Sequence, residues 1–264
     1  MDFLDFFRTK PSAAQFAALT LAEMRKAGVV TQLNYSHDDF ALVGQTDAGG
    51  VARVNLANFY ADYVSADQAE RRRIVAGLVA SVAELGNAPP RNYASARARL
   101  RPLVRSAYDD ALAASELLPE QRPSLRRNQR AQALVADLVI QLGYDGNAQV
   151  RRIDAEQLGT WGVSFEAALA DALANLRTAG DQWTAIGPGV FKGGWNDYYD
   201  ASRTLLTDSL FRLPLAGFPV VMIPTRSTVL VTGSRDVKGQ ATIVAAAAQA
   251  FANESRQVSA AMIC

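Results

Sequence analysis

Apolar positions along the chain change their spacing several times, and each change marks a different kind of element. Phe16, Leu19 and Met24 recur at helical spacing behind Ser12, and Gln15 stands three residues after that serine as in a capping box. Gly28 closes this helix. Residues 29–35, 40–44 and 51–56 then read as three strands, with Asp47-Ala48-Gly49-Gly50 turning between the last two. Phe59, Tyr60 and Tyr63 predict a short helix covering this small sheet. Residues 67–85 predict another, with Ile74, Leu78, Val82 and Leu85 along one face. Arg71, Arg72 and Arg73 are adjacent, so they fan around the helix and form a solvated face instead of one anion-binding row.

Two consecutive prolines, Pro89 and Pro90, end the helical pattern within a linker at 87–92. Beyond it, Arg99, Arg101, Leu103 and Arg105 alternate as one face of a strand, expected at a sheet edge with its charges protecting it. Residues 108–118 read as a helix and 120–130 as a polar loop. The runs 134–142 and 148–153 flank Asp145-Gly146, a hairpin signal because glycine supplies the positive φ of a tight turn. Ser164 caps a helix to about residue 176, expected to turn Ala167, Leu169, Ala172 and Leu176 inward. Strands follow at 183–186 and 189–192.

The next stretch is the densest in the chain. A glycine-rich turn leads to a predicted helix with two faces. Tyr198, Ala201, Leu205, Leu206, Leu210 and Leu213 form its expected buried side, and Asn196, Asp200, Arg203 and Thr207 its polar side, with Tyr199 beside Arg203. Asn196 and Asp197 occupy the expected cap. Two nearly continuous apolar runs, 220–223 and 228–232, predict central strands buried on both faces. A last helix at 236–252 is expected to place Val237, Ala241, Val244, Ala248 and Phe251 inward. The fold class is α+β: a small αβββα unit at 1–86, the linker at 87–92, and a larger unit at 93–264 in which antiparallel hairpins alternate with helices.

Composition narrows the chemistry. The 264 residues are 49% hydrophobic with a formal net charge of +1, which lacks the basic excess of a dedicated nucleic-acid binder. Nucleic acid is therefore not an expected partner. The single cysteine, Cys264, cannot close an intrachain disulfide, and a reducing cytoplasm is the default compartment. The opening MDFLDFFRTK has no basic stretch before a long apolar run, so no signal peptide is expected, nor any membrane association. With one histidine, His37, a multi-histidine zinc site cannot be assembled within the chain, and Ser36-His37-Asp38-Asp39 reads as a solvated turn. No metal and no cofactor are expected.

Gly187, Gly189, Gly193 and Gly194 suggest a phosphate loop, but the spacing fits neither dinucleotide nor P-loop glycine patterns. What remains as a candidate site is Asn196, Tyr199, Asp200 and Arg203. Exposed, Asp200 and Arg203 would contribute under about 1 kcal/mol as a pair. Covered, they would have to organise a polar network.

Four stretches carry a resemblance: Arg101-Pro102-Leu103-Val104-Arg105-Ser106, LVADLVIQLGYD at 134–145, WGVSFEAALADALANLR at 161–177, and Tyr199-Asp200-Ala201-Ser202-Arg203. Over roughly 93–256 the chain resembles the YtpQ-like family of uncharacterised bacterial proteins, which implies a shared fold and no particular reaction. Members of that family continue past the last helix, so a final strand is expected to be shortened or absent here. The alternation of helices with strand pairs is also similar to secretion-chaperone-like folds, which bind proteins. The expected function is a cytoplasmic, non-catalytic protein-binding module of adaptor or chaperone type, with a protein partner. The alternative is an enzyme acting on a small anionic substrate through Asp200, Arg203 and Tyr199.

Overall fold

The computed structural model describes residues 11–28, 33–38, 40–45, 51–83, 89–108, 131–146, 150–254 and 256–264. The expected helix at 108–118 and loop at 120–130 lie almost wholly outside the described residues. The chain divides into two compact units, with the break between Ala88 and Pro89.

The N-terminal unit begins with α1 (Ala13–Lys26), whose Ser12 and Gln15 form the reciprocal capping box. Strands β1 (Leu33–Ser36), β2 (Ala41–Gln45) and β3 (Val51–Asn55) make an antiparallel sheet in that order. Helices α2 (Ala57–Ser65) and α3 (Gln68–Ala83) complete the unit. Its core joins Phe16 and Met24 to Leu33, Leu42 and Leu56, and to Val75, Leu78 and Val82 of α3. Leu19 points outward. His37 lies exposed in the turn between β1 and β2, and Arg71 lays its guanidinium over the Tyr63 ring.

The larger unit opens with α4 (Tyr93–Ala96) and a 3-10 turn at Arg97–Arg99, then β4 (Leu100–Ser106). Strands β5 (Gln132–Val135), β6 (Leu138–Asp145) and β7 (Val150–Ile153) build an antiparallel sheet around β6. The apolar run expected as one strand at 134–142 is two strands, because Ala136 adopts φ 51° and reverses the chain with Asp137. The hairpin after Asp145 pairs that residue with Val150. Helix α5 (Ala155–Trp161) and helix α6 (Phe165–Arg177) pack on this sheet through Leu158, Trp161, Phe165, Ala168 and Ala172. Ser164 caps α6 as expected, but Ala168 faces inward where Ala167 was expected.

The second sheet contains β8 (Trp183–Gly187), β9 (Val190–Gly193), β10 (Pro219–Thr225), β11 (Thr228–Gly233) and β12 (Met262–Ile263), in the order β12-β10-β11-β9-β8. Between β9 and β10 come a 3-10 turn at Ala201–Leu205 and the short α7 (Thr207–Phe211); α8 (Val237–Asn253) follows β11. The expected burial of the central strands on both faces is present. Val220, Met222 and Leu230 face α8 with Ile243 and Ala247, while Val221, Ile223, Val229 and Val231 enter a second core with Val104 and Leu138. This alternation explains why neither strand could carry polar residues at every second position.

Two expectations about faces are corrected. Helix α8 buries Gly239, Ile243, Ala247 and Ala250, leaving Val237 and Val244 exposed. Its inward stripe is thus turned by about a third of a turn from the one expected, since alanines around most of the helix blur its apolar face. Strand β4 does end its sheet, but it is buried along most of its length, including Arg105. The Val104 N–H donates to Ser202 Oγ at 3.0 Å, so a covering turn protects this edge where charges were expected to.

Candidate functional site

The segment from Trp195 to Leu206 contains every candidate residue, and it is not the helix that the apolar spacing predicts. Asn196 and Tyr198 adopt left-handed φ values of 52° and 68°, and regular turns begin only at Ala201. A helix cannot pass through two such residues. The local cause is Asp197, whose carboxylate accepts the Tyr199 N–H at 3.1 Å and folds the backbone back on itself.

This reversal exchanges the expected faces. Tyr198, expected inside, is 60% exposed, whereas Asp200 and Arg203 are 0% and 1% exposed. Tyr199 is buried against Leu103, Leu176 and Leu206. Asn196 is exposed, with its side chain donating to the Gly194 carbonyl. Of the four candidates, Tyr199, Asp200 and Arg203 therefore lie inside the fold, and Asn196 stands apart at the surface.

Arg203 does not pair with Asp200 but with Asp197, in a two-point arrangement: Nη1 donates to Oδ1 at 2.7 Å and Nη2 to Oδ2 at 2.6 Å. Its guanidinium also lies 4.5 Å from the centroid of the Trp195 ring. Trp195 is fixed in turn by a hydrogen bond from Nε1 to the Gly180 carbonyl and by edge-on contact with Trp183. Gly193 makes this packing possible: a Cβ there would stand 2.6 Å from Val229 Cγ1 and 2.9 Å from the Trp195 ring. Gly189, at φ 65°, serves the turn between β8 and β9. The glycines invoked above as a phosphate-loop signal thus have structural reasons for two of their positions.

The electrostatics of the two aspartates differ in sign. Burial pushes the Asp197 carboxyl up, but the Arg203 hydrogen bonds and charge outweigh it and hold the group below the usual carboxylate range. Asp200 is raised, first by burial and then by the nearby Asp197 charge, with Arg203 only partly offsetting them. Among the described residues neither Asp200 oxygen has a partner in hydrogen-bonding geometry, although backbone groups of Asn196 and Trp195 favour its charged form. Burial, followed by the Asp145 carboxylate, raises the Tyr199 hydroxyl well above the usual phenol range.

Two features of the site are not visible as motifs. Trp195 supplies the platform for Arg203, and Arg256 lies 5.6 Å over the exposed Tyr198 ring. The Asn196-Asp197 pair is the one sequence signal for the turn, since both residue types tolerate or induce reversed backbone. Among the described residues there is no group of three or more His, Cys, Asp or Glu able to hold a metal ion, and no helix long and apolar enough to cross a membrane.

Together these features define an α+β protein built on antiparallel sheets, with a buried arginine clamped by a partly exposed aspartate in its larger unit. Comparison of the chain with protein-family models, curated proteins and solved structures finds no match.

Proposed function

We propose that this chain is a non-catalytic protein-binding module of adaptor or chaperone type, related to the YtpQ-like family and working in a bacterial cytoplasm. The observation that supports this reading is the exposed Tyr198, held out from the fold in left-handed backbone with Arg256 over its ring. An aromatic–arginine pair brought together from two segments suits protein recognition, because both residue types bring large contact area and are enriched where binding energy concentrates. Asp197, Arg203 and Trp195 serve as the anchor that fixes the loop. The earlier candidates Asp200 and Arg203 then act through shape, and Asn196 and Tyr198 carry the contact.

The test is capture from native lysate with the full chain, followed by titration with the purified partner. Tyr198→Ser combined with Arg256→Gln should weaken binding at least about tenfold while leaving the melting temperature within a few degrees. Equal affinity for wild type and variant would remove this loop from consideration.

One observation favours a second reading, an enzyme for a small anionic substrate using Asp200, Arg203 and Tyr199. Asp200 is a buried carboxyl with a raised pKa beside a buried arginine, a combination common in catalytic sites. A thermal-shift screen of anionic metabolites would then find a ligand whose effect disappears in Asp200→Asn. A ligand indifferent to that change would discard this reading.

A further inference from the structure

Strand β8 ends the five-stranded sheet, and among the described residues only β9 pairs with it. Its sequence, Trp183-Thr184-Ala185-Ile186-Gly187, contains no charged residue and no proline, and its three central residues are exposed. Among the described residues β5 and β7 also pair with one strand only, β6, and β12 only with β10, but these edges are shorter than β8, at four, four and two residues. Strand β10 is covered by β12 and by hydrogen bonds from Val258 to the Pro224 carbonyl and from Ser259 to the Ile223 carbonyl. Strand β4 is covered by Ser202.

The backbone polarity of β8 follows from its register. Gly194 N–H donates to the Gln182 carbonyl at 2.9 Å, and Thr184 stands opposite Lys192 two residues further along. Antiparallel strands direct both polar groups of every second residue to the same neighbour. Gln182 and Thr184 therefore face β9, and the N–H and C=O of Trp183 and Ala185 face outward. A row of outward donors and acceptors can be matched only by another extended backbone. Lys192, half-buried on β9 and making no ion pair among the described residues, adds a positive charge beside Thr184.

Resting on the protein-binding reading above, we propose that β8 takes up an extended segment of a partner protein as a sixth strand, preferring β-branched residues flanked by an acidic one. A second copy of the chain is the rival occupant. A stable dimer buries about 800 Å² on each partner. β8 offers five residues, with a bulge between Ala185 and Gly187 that shortens the pairing length. A rigid copy cannot compensate for so short an edge, whereas a flexible segment can pair there and continue over neighbouring surface.

Ala185 makes the decisive variant. Its N–H points away from β9, so Ala185→Pro blocks the edge without removing a native hydrogen bond, while Ala185→Val retains the N–H. The probe is a fluorescein-labelled eight-residue peptide of alternating valine and threonine with a glutamate at each end, titrated into the full-length chain by anisotropy. Wild type and Ala185→Val should bind alike, Ala185→Pro at least about tenfold more weakly. Amide exchange at Trp183 and Ala185 in the wild type should slow when peptide is added, a readout that does not depend on how any variant folds. No binding by wild type, protection confined to another strand, or undiminished binding by Ala185→Pro would each overturn the proposal. So would a wild-type dimer in sedimentation that Ala185→Pro dissociates, which would assign the edge to self-association. If Ala185→Pro keeps a native partner that the Tyr198 and Arg256 variant loses, strand addition fails while the protein-binding reading stands.

Discussion

Asp197 and Asp200 sit three residues apart and pull the pH dependence of stability in opposite directions. The folded pKa of Asp200 is raised above its ordinary 3.8, so the native state holds that proton more tightly than the unfolded chain does. Its contribution is complete below the unfolded pKa and is lost as pH rises through the folded one. Asp197 is lowered, so its contribution is present above the unfolded pKa and lost as pH falls through the folded one. Asp200→Asn should therefore stabilise the protein at neutral pH and flatten the loss of stability on the alkaline side of pH 4, as read from urea midpoints across pH. Asp197→Ala should do the reverse at neutral pH. It leaves Arg203 buried and unpaired, which costs several kcal/mol when both partners are buried; Asp197 is 39% exposed, so about 1–3 kcal/mol is expected.

At the scale of elements, the faces of α8 give the sharpest test. Ile243 is fully buried against the sheet while its neighbour Val244 is 45% exposed. Ile243→Ala should cost about 2–4 kcal/mol, and Val244→Ala should stay within about 0.5 kcal/mol, measured by chemical denaturation. The stripe expected from sequence would give the opposite ranking. Elements with a polar marker at a fixed offset were legible: Ser12 with Gln15 and Ser164 do what their spacing predicts, and β6 and β7 do pair as a hairpin on either side of 146–149. The unbroken apolar runs at 220–223 and 228–232 were legible too, because only two-sided burial accounts for them. Where alanines lie around most of the helix, as in α8, the apolar periodicity reports its phase poorly. The candidate site was legible as a location but not as a geometry. Leu205, Leu206, Leu210 and Leu213 fit a helix, and nothing in that period reveals that Asp197 would reverse the backbone at Asn196 and Tyr198. Arg203 could not be assigned to Asp197 from spacing, since six residues along a helix would place them on different faces.

The two units carry separate cores, one drawn only from residues between Phe16 and Val82 and the others from Ala96 onward. Damage in one core should therefore remain local. Leu42→Ala is expected to accelerate amide exchange throughout α1, α2 and α3 while leaving β10 and β11 as protected as in wild type. Uniform acceleration across the chain would show that the units unfold as one.

The closure of β10 has a kinetic consequence. Its partner β11 lies across a two-residue turn, so that hairpin can form within microseconds. Its other flank waits for Met262 to reach Met222 and Ser259 to reach Ile223, contacts that close loops spanning α8. Ser202 must likewise find Val104 from 98 positions away. This apolar strand is thus assembled early and sealed late, which makes the interval between those events the period of greatest exposure to aggregation.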